Sequence, residues 1–140
     1  MGGDRHYPPP PRPSGRESPV PEIREGKELI GRKFRLHGRV PETGLDCVGV
    51  VAWVHGLEVP TGYRLRTADV ALVEDWLAAR GFAPGVGAAG EIVVLRPGGA
   101  QVHLGIVTDL GFVHADAGLG RVVESPWRDD WAVLGFWRRT

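Results

Sequence analysis

Apolar positions along the chain fall into three kinds of run. Between residues 22 and 30 only Ile23, Leu29 and Ile30 interrupt a polar stretch, and Gly31 follows, which predicts a short helix. From Cys47 to His55 the run Cys-Val-Gly-Val-Val-Ala-Trp-Val-His is apolar on every side, so periodicity alone does not separate a buried helix from a buried strand. Asp46 ahead of it is a helix-capping residue and Gly56 behind it a helix stop, and together they favour helix. A third helix is expected where Thr67 caps, Asp69 favours the positive end, and Val70, Val73, Leu77 and Phe82 share one face as far as Gly81. It is expected on the outside of the domain. Beyond Gly90 the pattern changes to short β-rich runs: Glu91 to Arg96, Val102 to Thr108, Phe112 to Ala115, Arg121 to Glu124 and Ala132 to Trp137. The separators Pro97-Gly-Gly, Asp109-Leu-Gly and Gly118-Leu-Gly are turn chemistry. Helices first and an antiparallel meander afterwards describe an α+β domain, with N-terminal helices packed on an antiparallel sheet.

Composition refines this in a few places. Residues 1–24 hold Tyr7-Pro-Pro-Pro-Pro-Arg-Pro-Ser-Gly and then Pro19 and Pro21, too little apolar surface to offset ordering, so they are expected to form a disordered or polyproline arm. The remaining residues, 25–140, are the size of one domain, and no internal repeat is visible. Seventeen basic and 17 acidic residues cancel, so no global field draws the chain to nucleic acid or an anionic membrane. Partners must be chosen by a local site. No stretch approaches the roughly 18 apolar residues of a membrane span, and Met1-Gly-Gly-Asp-Arg-His-Tyr lacks the apolar core of a signal peptide. The expectation is synthesis in the cytoplasm, with any substrate beyond it reached by a non-standard route.

The loop Gly85-Val-Gly87-Ala-Ala-Gly90 matches a dinucleotide-binding fingerprint by letter. That fingerprint needs a strand before the glycines and a helix after them, so that pyrophosphate rests on the helix N-terminus. Here a helix precedes and a strand follows, and nucleotide binding is rejected.

The single cysteine excludes an intramolecular disulfide and leaves three roles for Cys47: core filler, metal ligand or nucleophile. It stands just inside the expected helix start, where unpaired N–H groups and the helix dipole favour a thiolate. His103 and His114 flank the turn at Asp109-Leu-Gly, and a hairpin there sets both on one face whenever paired residue numbers sum to an odd value; a sum of 217 sets them directly opposite. Leu104 and Ile106 then face the core, and Gly105 leaves room for a close approach. A thiol, an imidazole touching it and a third group fixing that imidazole's tautomer are the parts of a cysteine peptidase, which Cys47, His103 and His114 can supply. Zinc is the rival reading, since the same residues with Asp116 are legitimate ligands.

Gly44-Leu-Asp-Cys47-Val-Gly49 resembles the G-x-D-C-S-G nucleophile motif of the NlpC/P60 peptidases, and His103-Leu-Gly-Ile-Val with Phe112-Val-His114-Ala resembles their H-V-G-I and F-I-H-A strands. Val122-Val-Glu124-Ser-Pro-Trp127 is similar to the end of the phage-type and alphaproteobacterial-type members, and the likeness spans about residues 22–137. It implies a papain-like fold and a thiol endopeptidase of the cell wall or periplasm that needs no cofactor or metal. Its partner would be a peptidoglycan stem peptide, cut at the bond between D-glutamate and diaminopimelate. In that reading Cys47 attacks, His103 shuttles the proton, His114 orients His103, and Asp46 helps bind the peptide's free amino end. Arg35 and Arg39 become candidates for a substrate carboxylate, with a solvated basic loop as the alternative. Two positions depart from the family: Phe34 stands where a tyrosine hydroxyl lines the site, and Val48 where a serine follows the nucleophile. These departures motivate a second reading, a phage-tail-like structural or assembly component that keeps the fold with little turnover.

Overall fold

The computed structural model describes residues 20–59, 70–98 and 101–140. Helix α1 (Pro21–Glu28) opens with a proline at its first turn, where the missing N–H costs nothing, and buries Ile23 and Gly26. Residues 21–24, expected as the end of the Pro-rich arm, thus belong to this helix; residues 1–19 lie outside the described residues.

Helix α2 (Cys47–His55) has the limits its flanking residues predict. The Asp46 carboxylate accepts the Gly49 N–H at 2.8 Å, and Gly56 stops the helix in the left-handed conformation at φ 66°. Four of its nine residues are valines, whose branching costs a helix less than about 0.7 kcal/mol each. Val50 and Val51 are fully buried, and such burial stabilises by roughly 1.5–3 kcal/mol per side chain, so packing outweighs propensity. Trp53 alone of this helix is exposed. Helix α3 (Val70–Ala79) buries Val73, Trp76 and Leu77. The proposed capping residues Thr67 and Asp69 lie outside the described residues. Phe82, expected on the same helical face, instead begins a strand.

The strands are β1 (Arg39–Val40), β2 (Gly44–Leu45), β3 (Phe82–Pro84), β4 (Ile92–Arg96), β5 (His103–Val107), β6 (Gly111–Asp116), β7 (Arg121–Pro126) and β8 (Ala132–Arg139). The first two form a small hairpin, and the other six an antiparallel sheet in the order β3-β8-β4-β5-β6-β7. This is the expected α+β class, but the meander holds only from β4 to β7. The last strand crosses back to lie between β3 and β4 instead of extending the sheet beside β7. The outer edge of β7 is already occupied: Gly31 donates to Val122 O at 2.9 Å, Val122 to Arg32 O at 2.8 Å, and Phe34 to Gly120 O at 2.8 Å. With those groups paired, the open edge left to β8 is that of β4.

Two apolar layers result. Ile92, Val94, Leu104, Ile106, Val113, Ala115 and Val122 join α2 and α3 in the larger core. Val93, Leu95, Val107 and Phe112 form a second cluster roofed by Trp131 and Phe136. Being covered on both faces explains why β4 reads as a continuous apolar run.

Gly49 shows how closely the segment before α2 is applied to the helix. A Cβ there would fall 2.1 Å from Gly38 O, a backbone atom that cannot swing aside. Gly44, at φ 120°, turns the chain back into β2 in a conformation that L side chains rarely adopt. Gly49→Ala is expected to destabilise the fold by about 1–3 kcal/mol through this clash, read as a lowered urea midpoint at unchanged slope.

Candidate active site

The N-terminus of α2 meets the sheet at the end where β5 begins and β6 finishes. A cleft of ≈ 180 Å³ opens there between Phe34, Val102, Ala115 and Trp131, with Cys47, His103, Asp46 and Asp116 among its polar groups. A mostly apolar cleft with a few converging polar side chains is the usual form of a small-substrate site.

Asp46 is fully buried and acts on three fronts. One carboxylate oxygen accepts the Gly49 N–H, as described, and the Arg39 guanidinium at 2.8 Å; the other accepts the His37 N–H at 2.6 Å. His37 adopts a positive φ of 60°, uncommon for a residue with a side chain, and its bond to Asp46 holds that turn in place. Arg39 thus compensates Asp46, and Arg35 is exposed to solvent. Neither arginine is among the cleft's lining residues.

Cys47 is 7% exposed. Backbone groups of Leu104, Val48 and Cys47 itself hydrogen-bond the thiol and favour its ionised form. Burial opposes them more strongly, the Asp46 carboxylate adds repulsion, and the thiol is pushed up to about 12. The thiolate expected from the helix N-terminus is therefore not the resting state: desolvation and a neighbouring carboxylate outweigh the dipole.

The register of β5 on β6 pairs Ile106 with Val113 and Val107 with Phe112, so the numbers sum to 219. The sum is odd, and the two histidines share a face as the sequence reading required, offset by two residues from the directly opposite arrangement at 217. Their rings meet edge to face, with 88° between the planes and His103 Nε2 at 2.8 Å from His114 Nδ1. Gly105 makes the close packing possible, since a Cβ there would come within 3.1 Å of the Phe112 ring. Trp131 lies edge-on to both imidazoles, at 5.6 Å from His103 and 5.5 Å from His114. Burial moves His103 down to about 3, with His114 beside it contributing, and moves His114 down to about 4 despite the opposing pull of Asp116. Both rings are neutral near pH 7.

With its Nε2 engaged by His114, His103 has Nδ1 left for the thiol; both residues line the cleft, and the structure shows no hydrogen bond between them. Behind the pair, His114 Nε2 lies 2.8 Å from Ser125 Oγ. Neither Ser125 nor Trp131 was singled out from sequence, because their place depends on how β7 and β8 lie across the sheet. For zinc, the facing nitrogens of His103 and His114 are taken up by each other, and among the described residues no three His, Cys, Asp or Glu side chains are grouped to hold a metal ion. Phe34 lines the cleft where the hydroxyl was expected, while Val48 points into the core. The glycine-rich loop at 85–90 joins β3 to β4, strand to strand, and the N–H groups of Val86 and Gly87 both donate to Glu91 Oε1, so the chain's own carboxylate fills the place a phosphate would take.

The paired histidines predict how stability depends on pH. In the unfolded chain both titrate near 6.5, in the folded chain only near 3 and 4, so below 6.5 the unfolded state binds more protons. Stability should be full above pH 6.5 and fall as pH drops from there towards 4, by about 1.4 kcal/mol per pH unit for each ring. Urea midpoints measured from pH 8 to 4 check this, and a shallower slope for His103→Leu/His114→Leu than for the native chain would assign the difference to the pair, buried His55, also held below its ordinary range, accounting for part of what remains.

No protein-family model matches the chain, and a comparison with curated proteins finds no match. Among solved structures the chain is similar to a Staphylococcus aureus protein described as similar to a lipoprotein of the NLP/P60 family, with a TM-score of 0.53 and 20% identity. The likeness covers 84% of this chain and 40% of that one, so this chain spans less than half of its neighbour's length. The chain therefore shares the α+β fold of that neighbour, with the Cys47 helix set against the strands that carry His103 and His114.

Proposed function

We propose that this protein is a cysteine peptidase that hydrolyses peptidoglycan stem peptides at the D-glutamate–diaminopimelate bond, with Cys47 as nucleophile, His103 as base and His114 as the residue orienting it. The observation that carries this reading is the shared cleft of Cys47 and His103 with His114 hydrogen-bonded behind the base. The NlpC/P60 neighbour supports the cell-wall substrate class.

A neutral thiol beside a neutral imidazole favours general-base chemistry over a preformed ion pair. As the sulfur of Cys47 bonds to the substrate carbonyl carbon, its proton passes to Nδ1 of His103. The oxyanion that forms would be met by the backbone N–H of Cys47 at the first turn of α2, where such groups lack helical partners. Collapse of the tetrahedral intermediate breaks the C–N bond, and His103 returns the proton to the departing amine. Water, deprotonated by His103, then hydrolyses the thioester and restores the thiol. Asp46, paired with Arg39 and fully buried, builds part of the cleft wall and would meet a peptide amine only if that pairing opened. Arg35 and Arg39 would serve a substrate carboxylate only through a shift of the segment that bears them. The site of action follows the substrate, at the cell wall. Among the described residues no helix is long and apolar enough to cross a membrane.

A second reading, a phage-tail-like component with the fold and little turnover, draws on the missing hydroxyl at Phe34 and the high thiol pKa. Muropeptide hydrolysis by the native chain, lost in Cys47→Ala and reduced about 10²- to 10⁴-fold in His103→Ala, is the expected result. Absence of turnover in the native chain with every stem peptide offered would favour the second reading. Without substrate, iodoacetamide should alkylate Cys47 slowly at pH 7, with a rate still climbing past pH 10; rapid reaction at pH 7 that His103→Ala abolishes would instead show a resting ion pair.

A further inference from the structure

Behind the base the hydrogen bonds continue for one more step, and the direction in which they run decides whether the site can work. His103 Nε2 lies 2.8 Å from His114 Nδ1, and His114 Nε2 lies 2.8 Å from Ser125 Oγ. Ser125 reaches this position because β7 pairs with β6 in a register that sets Phe112 opposite Ser125 and His114 opposite Val123, so the hydroxyl stands diagonally across from the ring on the same face. Both rings are buried, which keeps them neutral, and Trp131 packs edge-on to each.

A neutral imidazole has one N–H and one lone pair, so each link in this chain holds one hydrogen and the whole must point one way. In the outward arrangement His103 donates from Nε2 to His114, His114 donates from Nε2 to Ser125 Oγ, and Nδ1 of His103 carries the lone pair that receives the thiol proton. In the inward arrangement Ser125 donates to His114, His114 donates from Nδ1 to His103, and Nδ1 of His103 bears a hydrogen. A ring in that form cannot accept the proton of Cys47.

We propose that Ser125 is a positioning residue: by accepting the His114 Nε2–H it holds both imidazoles in the outward arrangement and keeps His103 Nδ1 free as the base. This rests on the peptidase reading for its consequence in turnover, but the tautomers it specifies exist without any substrate. When His103 takes up the thiol proton, its Nε2–H bond to His114 becomes charge-assisted, and Ser125 keeps His114 oriented to receive it.

Nitrogen NMR of the two imidazoles at pH 7, on the full native chain free of substrate, tests this directly. The expected spectrum has both His103 and His114 protonated at Nε2. In Ser125→Ala a population protonated at Nδ1 should appear, with kcat on muropeptides about tenfold lower at unchanged KM. Ser125→Thr, which keeps the hydroxyl, should restore both readouts. A native His103 protonated at Nδ1, or tautomers in Ser125→Ala identical to native, would overturn the proposal. The expected tautomers in a native chain that turns over no stem peptide would sustain Ser125's role and sink the peptidase reading instead.

Discussion

The carboxylate of Asp46 is the constraint on which the site depends. It is a buried charge, and a buried charge without partners would cost several kcal/mol. Its partners come from three places: the first turn of α2 through Gly49, the strained turn at His37, and the Arg39 side chain at the start of β1. Satisfying one group thereby fixes three segments relative to each other. Cys47, the next residue along, has its place set by that arrangement before any substrate arrives. The glycines on either side belong to the same construction, since Gly49 must let Gly38 O come near enough for His37 to reach the carboxylate.

Seen this way, the aspartate of the G-x-D-C motif has structural work that its motif letters do not reveal, and the same carboxylate sets the electrostatics of the nucleophile. It is the second cause, after burial, that raises the Cys47 thiol. A helix N-terminus offers a fraction of a unit charge, whereas the adjacent carboxylate offers a full one, only partly offset by Arg39. The balance is a thiol held protonated in the free protein. His103 is held neutral on the other side of the cleft by burial beneath Trp131 and beside His114. Each partner of the prospective reaction is stored in its uncharged form.

What the sequence disclosed, and what it did not, follows from the range of the interactions involved. Helix α2 was legible to the residue because its limits are set by Asp46 and Gly56, both adjacent to it. The parity of the histidine hairpin was left open by the turn, since an even sum would have put the rings on opposite faces; the register that forms is odd and lies two residues from the directly opposite one. By contrast, β8 was misplaced because its partner depends on what covers the far edge of β7, and that cover is supplied by residues 31–34, some ninety positions earlier. Phe82 kept its apolar spacing with Val73 and Leu77 while leaving the helix at Gly81, whose φ of 87° turns the chain. Ser125 and Trp131 could not be found from spacing, since nothing local to either marks it as a neighbour of His114. Arg35 and Arg39 looked alike in sequence, yet one is exposed and the other is paired with Asp46, a distinction made only by tertiary contact.

The neutrality of the stored partners bears on how such a site avoids reacting with the wrong molecule. A permanent thiolate is open to any electrophile or oxidant that diffuses in. A buried thiol with a high pKa becomes nucleophilic only while a carbonyl carbon is being attacked and an imidazole lone pair is aligned to take the proton. Both conditions are geometric. In the proposed reaction the first would be met by a peptide seated in the cleft between Phe34 and Trp131, and the second by the outward one of the two directions in which the hydrogen bonds behind His103 can run. In the peptidase reading, selectivity for a bound peptide would then arise from the coupling of proton transfer to bond formation, with the base side of that coupling held by the layer in which Phe112 and Trp131 pack around the two histidines.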